Sequence, residues 1–70
     1  MKDQFTILLI ANNIYLQHDG FSTKGKTAKK IIQDLLNHKV VKRIDHALYL
    51  GRELARAEQC LKDGRDYVQG

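Results

Sequence analysis

Proline and tryptophan are absent, and cysteine occurs once, at position 60. A lone thiol forms no internal disulfide, which argues against a secreted, stapled mini-domain and for a cytoplasmic protein. No proline-rich linker, low-complexity tract or internal repeat divides the chain, so residues 1–70 read as one small domain. Apolar residues never run long. The longest stretch, Phe5 to Ala11, is broken by Thr6 and falls far short of the ~20 residues of a membrane span. It is also short for a signal peptide, with Asp3 in the leading segment and no clear cleavage site. Side chains for chemistry are equally sparse. His18, His38 and His46 are dispersed, no Cys or His pair has zinc spacing, and no Ser-His-Asp set, Cys-His pair or carboxylate pair stands out. Length is itself a shortage: with 70 residues, a chain buries only ~60% of its unfolded surface. A deep, water-excluding active site is hard to build from so thin a core, and contact with a partner is a common source of added stability. These deficits predict a protein that is not an enzyme, binds no cofactor or metal itself, and acts by binding a larger protein.

What the chain has in excess is positive charge: 12 Lys and Arg against 8 Asp and Glu, for a formal net charge of +4. Lys24, Lys26, Lys29 and Lys30 cluster, and Lys39, Lys42 and Arg43 follow. Such a balance suits an anionic partner. A small nucleic-acid-binding protein is therefore an alternative reading. It is disfavoured because Tyr15 and Phe21 are the only nearby aromatics and no recognised reading motif is present. The first reading is a mildly basic, solvated surface.

The pattern predicts an α+β fold. Residues 5–11 are rich in β-branched and aromatic side chains and read as a strand. Asn12-Asn13 suits a two-residue turn, and the alternation over 14–18 reads as the return strand. Asp19-Gly20 ends it, and 21–26 reads as a polar loop. Thr27 is the expected cap of a helix over 27–38, whose apolar stripe is Ala28, Ile31, Ile32, Leu35 and Leu36. Val40, Val41 and Ile44 form an apolar connector or a brief strand. Asp45 is the expected cap of a second helix over 46–63, with Ala47, Leu50, Leu54, Ala57 and Leu61 facing inward. Gly64 stands where a glycine stops a helix. Tyr67-Val68 reads as a last short strand or as a tail packing back on the core.

A turn at Asn12-Asn13 pairs Ala11 with Ile14, Leu9 with Leu16 and Ile7 with His18. One sheet face then carries Phe5, Ile7, Leu9, Ala11, Ile14 and Leu16. The other carries Thr6, Leu8, Ile10, Tyr15 and Gln17. Two helices cover one face only, so Leu8, Ile10 and Tyr15 are left as an exposed apolar patch, the mark of an interaction site. A protein partner, a second copy and the C-terminal tail are equal candidates to cover it.

Residues 20–27 match the phosphate-loop pattern G-x-x-x-x-G-K-[ST] in full, with a strand before and a helix after. Against nucleotide binding stand the hairpin context, where such folds use parallel sheets, and the want of a downstream strand ending in a magnesium-binding Asp. The alternative is a basic loop with a threonine cap. On the second helix, His46, Tyr49, Glu53, Arg56 and Cys60 line one flank, with Arg52 and Gln59 continuing around the outer face. A Glu53–Arg56 pair at i, i+3 is the ordinary reading. A docking flank anchored by Tyr49 and arginine is the functional one. His38 suits a helix C-terminus, and His46 serves either as a contact or as a solvated residue. Cys60 is inert if buried and a redox sensor if exposed beside Arg56.

Residues 45–58, with Leu61, Gly64 and Tyr67-Val68-Gln69 after them, resemble the signature of a domain of unknown function. That domain is found at the C-terminus of dihydropteroate-synthase-related proteins. It is also associated with proteins similar to the corrinoid-binding subunit of tetrahydromethanopterin S-methyltransferase. Residues 25–31 look like its earlier helix start. The resemblance implies an accessory or regulatory protein that docks on the cobamide-bearing methyltransferase subunit of methanogens. The partner then carries the cobamide, Cys60 adds a redox-dependent protective role, and the complex lies on the cytoplasmic side of the membrane. The expected contacts are His46, Tyr49, Arg52, Glu53 and Arg56, or the patch of Leu8, Ile10 and Tyr15. A pterin-binding module is a further alternative.

Overall fold

The computed structural model describes residues 5–18 and 20–69; Asp3, Asp19 and Gly70 lie outside them. Three strands precede two helices: β1 Thr6–Ile10, β2 Asn13–His18, β3 Phe21–Gly25, α1 Ala28–Asn37 and α2 Ile44–Asp63. The strands form one antiparallel sheet in the order β1-β2-β3, and the helices pack on one face of it. The fold is α+β, as the pattern predicts, with one strand more.

The first turn lies one residue earlier than expected, at Ala11-Asn12. Both residues take positive φ, 52° and 64°, the conformation whose twist matches a two-residue hairpin. Asn13 Nδ2 donates to the Ala11 carbonyl at 3.2 Å and braces the turn. The register is therefore Ile10 with Asn13, Leu9 with Ile14 and Ile7 with Leu16. That is a slip of two from the expected pairing. Because side chains alternate with period two, an even slip leaves the residues that stay in the strands on their expected faces, while Ala11, expected on the inner face opposite Ile14, is in the turn and exposed. Ile7, Ile14 and Leu16 are buried, while Leu8 and Ile10 are 43% and 50% exposed.

The segment expected as a polar loop is β3. Its inward positions are Phe21, Thr23 and Gly25, all half-buried, and Ser22 and Lys24 face out. Thr23 can face inward because its hydroxyl donates to Asp34 of α1 at 2.6 Å. Lys30 also pairs with Asp34. These two partners, Lys30 first, hold the Asp34 carboxyl below its ordinary range. Gly25 lets α1 approach: a Cβ there would lie 2.6 Å from Lys30 Cγ.

Thr27 caps α1 as expected, its hydroxyl accepting from the Lys30 amide at 3.3 Å. The helix ends with Lys39 in the left-handed region, φ 54°, and the Val40 amide bonds to the Leu35 carbonyl. This is the glycine-type helix stop made with a lysine. It turns Val40 back onto the core, so 40–43 is irregular rather than a strand. Helix α2 starts at Ile44, ahead of the expected Asp45 cap. Arg43 occupies the cap position, and its side chain makes no capping hydrogen bond to the helix amides, while Asp45 pairs with Arg43 at 2.8 Å and accepts from the His46 amide. Gly64 closes the helix with φ 70°, as its position predicts.

The core joins Phe5, Ile7, Ile14 and Leu16 of the sheet side to Ala28, Ile31 and Leu35 of α1 and Leu50, Leu54 and Ala57 of α2. Two stripe members depart from expectation: Leu36 is 54% exposed and Ala47 is exposed. Both lie at the edge of their stripes, where the two-layer packing runs out. Glu58 ties the helices together by accepting from the Ala28 amide at 2.8 Å. None of the described helices is long and apolar enough to cross a membrane.

Candidate functional site

The residues singled out by sequence fall in three separate places. Leu8, Ile10 and Tyr15 lie on the outer sheet face, as the alternation predicts. Leu8, Tyr15 and Lys24 sit side by side across the three strands, with the Lys24 ammonium 5.8 Å from the centroid of the Tyr15 ring. Thr6, Asn13, Gln17 and Ser22 complete the face. No described residue on it is acidic, and no described segment covers it.

The flank of α2 is different, because the C-terminal tail lies on it. Glu53, expected at an open contact surface, is buried. Arg56 donates to it at 2.8 Å, and the Tyr67 hydroxyl donates to it as well. The Arg56 guanidinium also lies 5.1 Å from the Tyr67 ring centroid and donates to the Val68 carbonyl. Burial, and then the bond to Glu53, push the Tyr67 phenol above its ordinary pKa. The bond to Glu53 raises that of Arg56. The tail ends in a contact with β1: the Ile7 amide donates to Gln69 Oε1 at 2.9 Å, and Gln69 Nε2 donates to the Phe5 carbonyl. Tyr49 is half-buried beside Gln69, 3.5 Å from its amide nitrogen. Of the two readings for 67–68, a strand or a returning tail, the tail is correct. Arg52 is exposed, and Cys60 is half-buried.

The third place is a cleft of about 270 Å³ lined by Phe5, His18, Val40, Lys42, Arg43 and His46. It lies at the end of the sheet, where the connector between the helices crosses. Phe5 stacks on His18 with ring centroids 4.1 Å apart and meets His46 edge-on at 5.8 Å. Of this group the sequence singles out His46 as a contact, and Lys42 and Arg43 only as part of a basic cluster. The others come from three separate segments, and no spacing rule links them. The same holds for Tyr67 and Gln69, whose role depends on the tail's path after Gly64.

The phosphate-loop match has no phosphate-loop shape. Residues 21–25 are extended and paired with β2, so alternate amides are committed to the sheet. Lys26 reaches the Asn12 carbonyl at 3.5 Å, and Thr27 is the helix cap. Of the other clustered lysines, Lys30 is paired with Asp34. Among the described residues, no group of three or more His, Cys, Asp or Glu is placed to hold a metal ion.

Comparison with known proteins gives a family but no solved relative. A stretch of 46 residues is 44% identical to the uncharacterized protein MJ0107 of Methanocaldococcus jannaschii. That match covers 66% of this chain and 9% of that protein. A stretch of 48 residues is 44% identical to a Ycf91-like protein of Nostoc sp., covering 64% of this chain and 38% of that protein. The chain therefore spans well under half the length of these curated relatives. No solved structure matches. The family model described as PterinBD-DUF4346 matches residues 3–70, nearly the whole sequence, and the chain belongs to that family, a domain of unknown function whose name associates it with pterin-binding proteins.

Proposed function

We propose that this chain is a docking module that attaches to a pterin-binding protein and acts through that contact rather than through a reaction of its own. The observation that carries the reading is the outer sheet face. It presents Leu8, Ile10 and Tyr15 together on a scaffold whose opposite face packs against the helices. An exposed apolar patch with a polar rim marks an interaction site. Lys24 beside Tyr15, and the want of described acidic residues on this face, favour a partner surface with an acidic rim. The family name supplies the partner class. The Methanocaldococcus relative, in which the matched stretch is 9% of the protein, supports a module that works beside a larger body of chain.

In its finer form the proposal names the partner as the cobamide-bearing subunit of tetrahydromethanopterin S-methyltransferase. The resemblance of residues 45–69 supports that form. Cys60 is half-buried on α2, away from the outer sheet face, so a redox role for it would act through the flank of that helix. The test is capture of tagged protein from native cell extract, with and without oxygen, and identification of bound chains by mass spectrometry. Recovery of a protein with a pterin-binding domain is the expected result, and recovery of the corrinoid-binding methyltransferase chain supports the finer form. Equal recovery in both arms rejects the role for Cys60. Recovery of nucleic acid or ribosomal proteins alone rejects the reading as a whole.

A second reading rests on the cleft. Its aromatic floor of Phe5, His18 and His46, with Lys42 and Arg43 at the side, has the lining of a site for a flat, anionic ring. A pterin bearing a carboxylate is the natural candidate within this family. Thermal stabilisation by such a pterin, lost in His46→Ala, supports direct binding. No shift at millimolar ligand rejects it.

A further inference from the structure

We infer that the free edge of β1 is a strand-addition site for an extended peptide segment of the protein partner, and that Gln69 is its resident substitute. The inference deepens the docking proposal and rests on it for the identity of the partner. The hairpin register fixes which main-chain groups face outward. Ile10 and Asn13 flank a two-residue turn, so Ile10, Leu8 and Thr6 bond to β2 and the odd-numbered residues point to the free edge. Gln69 confirms the direction. Its side-chain amide accepts from the Ile7 amide and donates to the Phe5 carbonyl. A primary amide is a peptide group carried on a side chain, and it makes here the pair of bonds that a residue of a fourth strand would make.

The substitute covers only part of the edge. Leu9, the next outward residue, has no hydrogen-bond partner for its edge-facing groups among the described residues. Unpaired main-chain groups along a sheet edge are a template for another chain. The opposite edge is blunted: β3 presents Ser22 and Lys24 outward, and lysine on an edge strand discourages pairing. The two edges thus differ in the way expected if one is kept for a partner.

A strand added to β1 also brings side chains over the outer face. Alternate residues would lie beside Thr6, Leu8 and Ile10, next to the two apolar side chains that are 43% and 50% exposed. The fitting partner is therefore an extended segment with apolar residues at alternate positions. Main-chain bonds give such recognition its affinity and the alternate side chains its specificity. Gln69 competes for the same groups, so it sets a threshold that the segment must exceed. Tyr67, donating to Glu53, and Arg56, donating to the Val68 carbonyl, position that competitor by anchoring the tail to α2.

The test needs neither the partner nor cell extract, so its failure is separable from failure of the docking proposal. The probe is a soluble synthetic peptide, Lys-Thr-Val-Thr-Val-Thr-Lys, with a second version N-methylated at alternate residues to remove the ladder donors. The readout is amide shift and hydrogen exchange at Ile7 and Leu9 by nitrogen-15 NMR, on the full chain and on Gln69→Ala. The peptide is expected to protect the Leu9 amide in both proteins. Removal of two competing hydrogen bonds should tighten its binding to Gln69→Ala by about tenfold, and the methylated version should not bind. Protection absent at Leu9 in both proteins overturns the inference, as does binding indifferent to N-methylation or to Gln69. If Gln69→Ala does not fold, Leu9 in the unaltered chain decides, since Gln69 does not cover it.

Discussion

Glu53 and Glu58 show how single carboxylates do structural work in a domain this small. Glu53 is buried and accepts from Arg56 and Tyr67, so the tail is held by bonds to a charged group. Tyr67→Phe removes one of them at nearly constant shape. It should cost about 1.5–3 kcal/mol in urea unfolding, the scale of a hydrogen bond to a charge. A cost near zero would mean that the tail is not anchored there. Glu58 makes a different prediction, in pH. The Ala28 amide, and then Lys62, hold its folded pKa below the ordinary 4.5. A depressed carboxylate pKa contributes stability above the unfolded value and loses it as pH falls through the folded value. Glu58→Gln keeps an acceptor for Ala28 but has no such titration. The unaltered protein should therefore be the more stable at pH 7, with the gap closing as pH drops below about 4.5. Urea midpoints across pH 3–7 check this, and a constant gap would contradict it.

At the scale of elements, the helices behave as the 3.6-residue period predicts, and Thr27 and Gly64 end up where cap chemistry puts them. Thr27→Ala should cost about 0.5–2 kcal/mol, the usual loss for a helix cap. Magnesium and ATP together should leave the melting temperature unchanged, since residues 21–25 are a paired strand rather than a phosphate cradle. Stabilisation by the nucleotide would reverse that assignment. β3 is not legible in the sequence because its inward positions are Phe21, Thr23 and Gly25, of which only the first looks like core. Thr23 faces in only because Asp34, eleven residues on, satisfies its hydroxyl. The hairpin turn falls one residue from its expected place because two asparagines compete for it, and nothing in composition says that Ala11 will take a positive φ. The sheet faces are unaffected because the slip is even. The outer patch of Leu8, Ile10 and Tyr15 is legible for the same reason. The cleft and the tail latch are not, since each joins segments that only the folded path brings together.

For the whole molecule, the core and the proposed docking patch occupy opposite faces of one sheet. The face toward the helices holds the core, and Leu54 is fully buried there. Leu54→Ala should cost about 2–5 kcal/mol, enough to consume much of the stability of a domain in the 60–100-residue range. The outer face carries none of that burden. Leu8→Thr with Ile10→Thr keeps strand-compatible branching and should change unfolding by no more than about 0.5 kcal/mol per site. The direct measurement is comparative capture from native extract with three baits: the unaltered chain, Leu8→Thr with Ile10→Thr, and Tyr49→Ala with Arg52→Ala. Docking through the sheet predicts that a protein with a pterin-binding domain is retained by the first and third baits and lost from the second, with all three folded by circular dichroism. Retention by the second bait and loss from the third would contradict it and move the contact to the flank of α2.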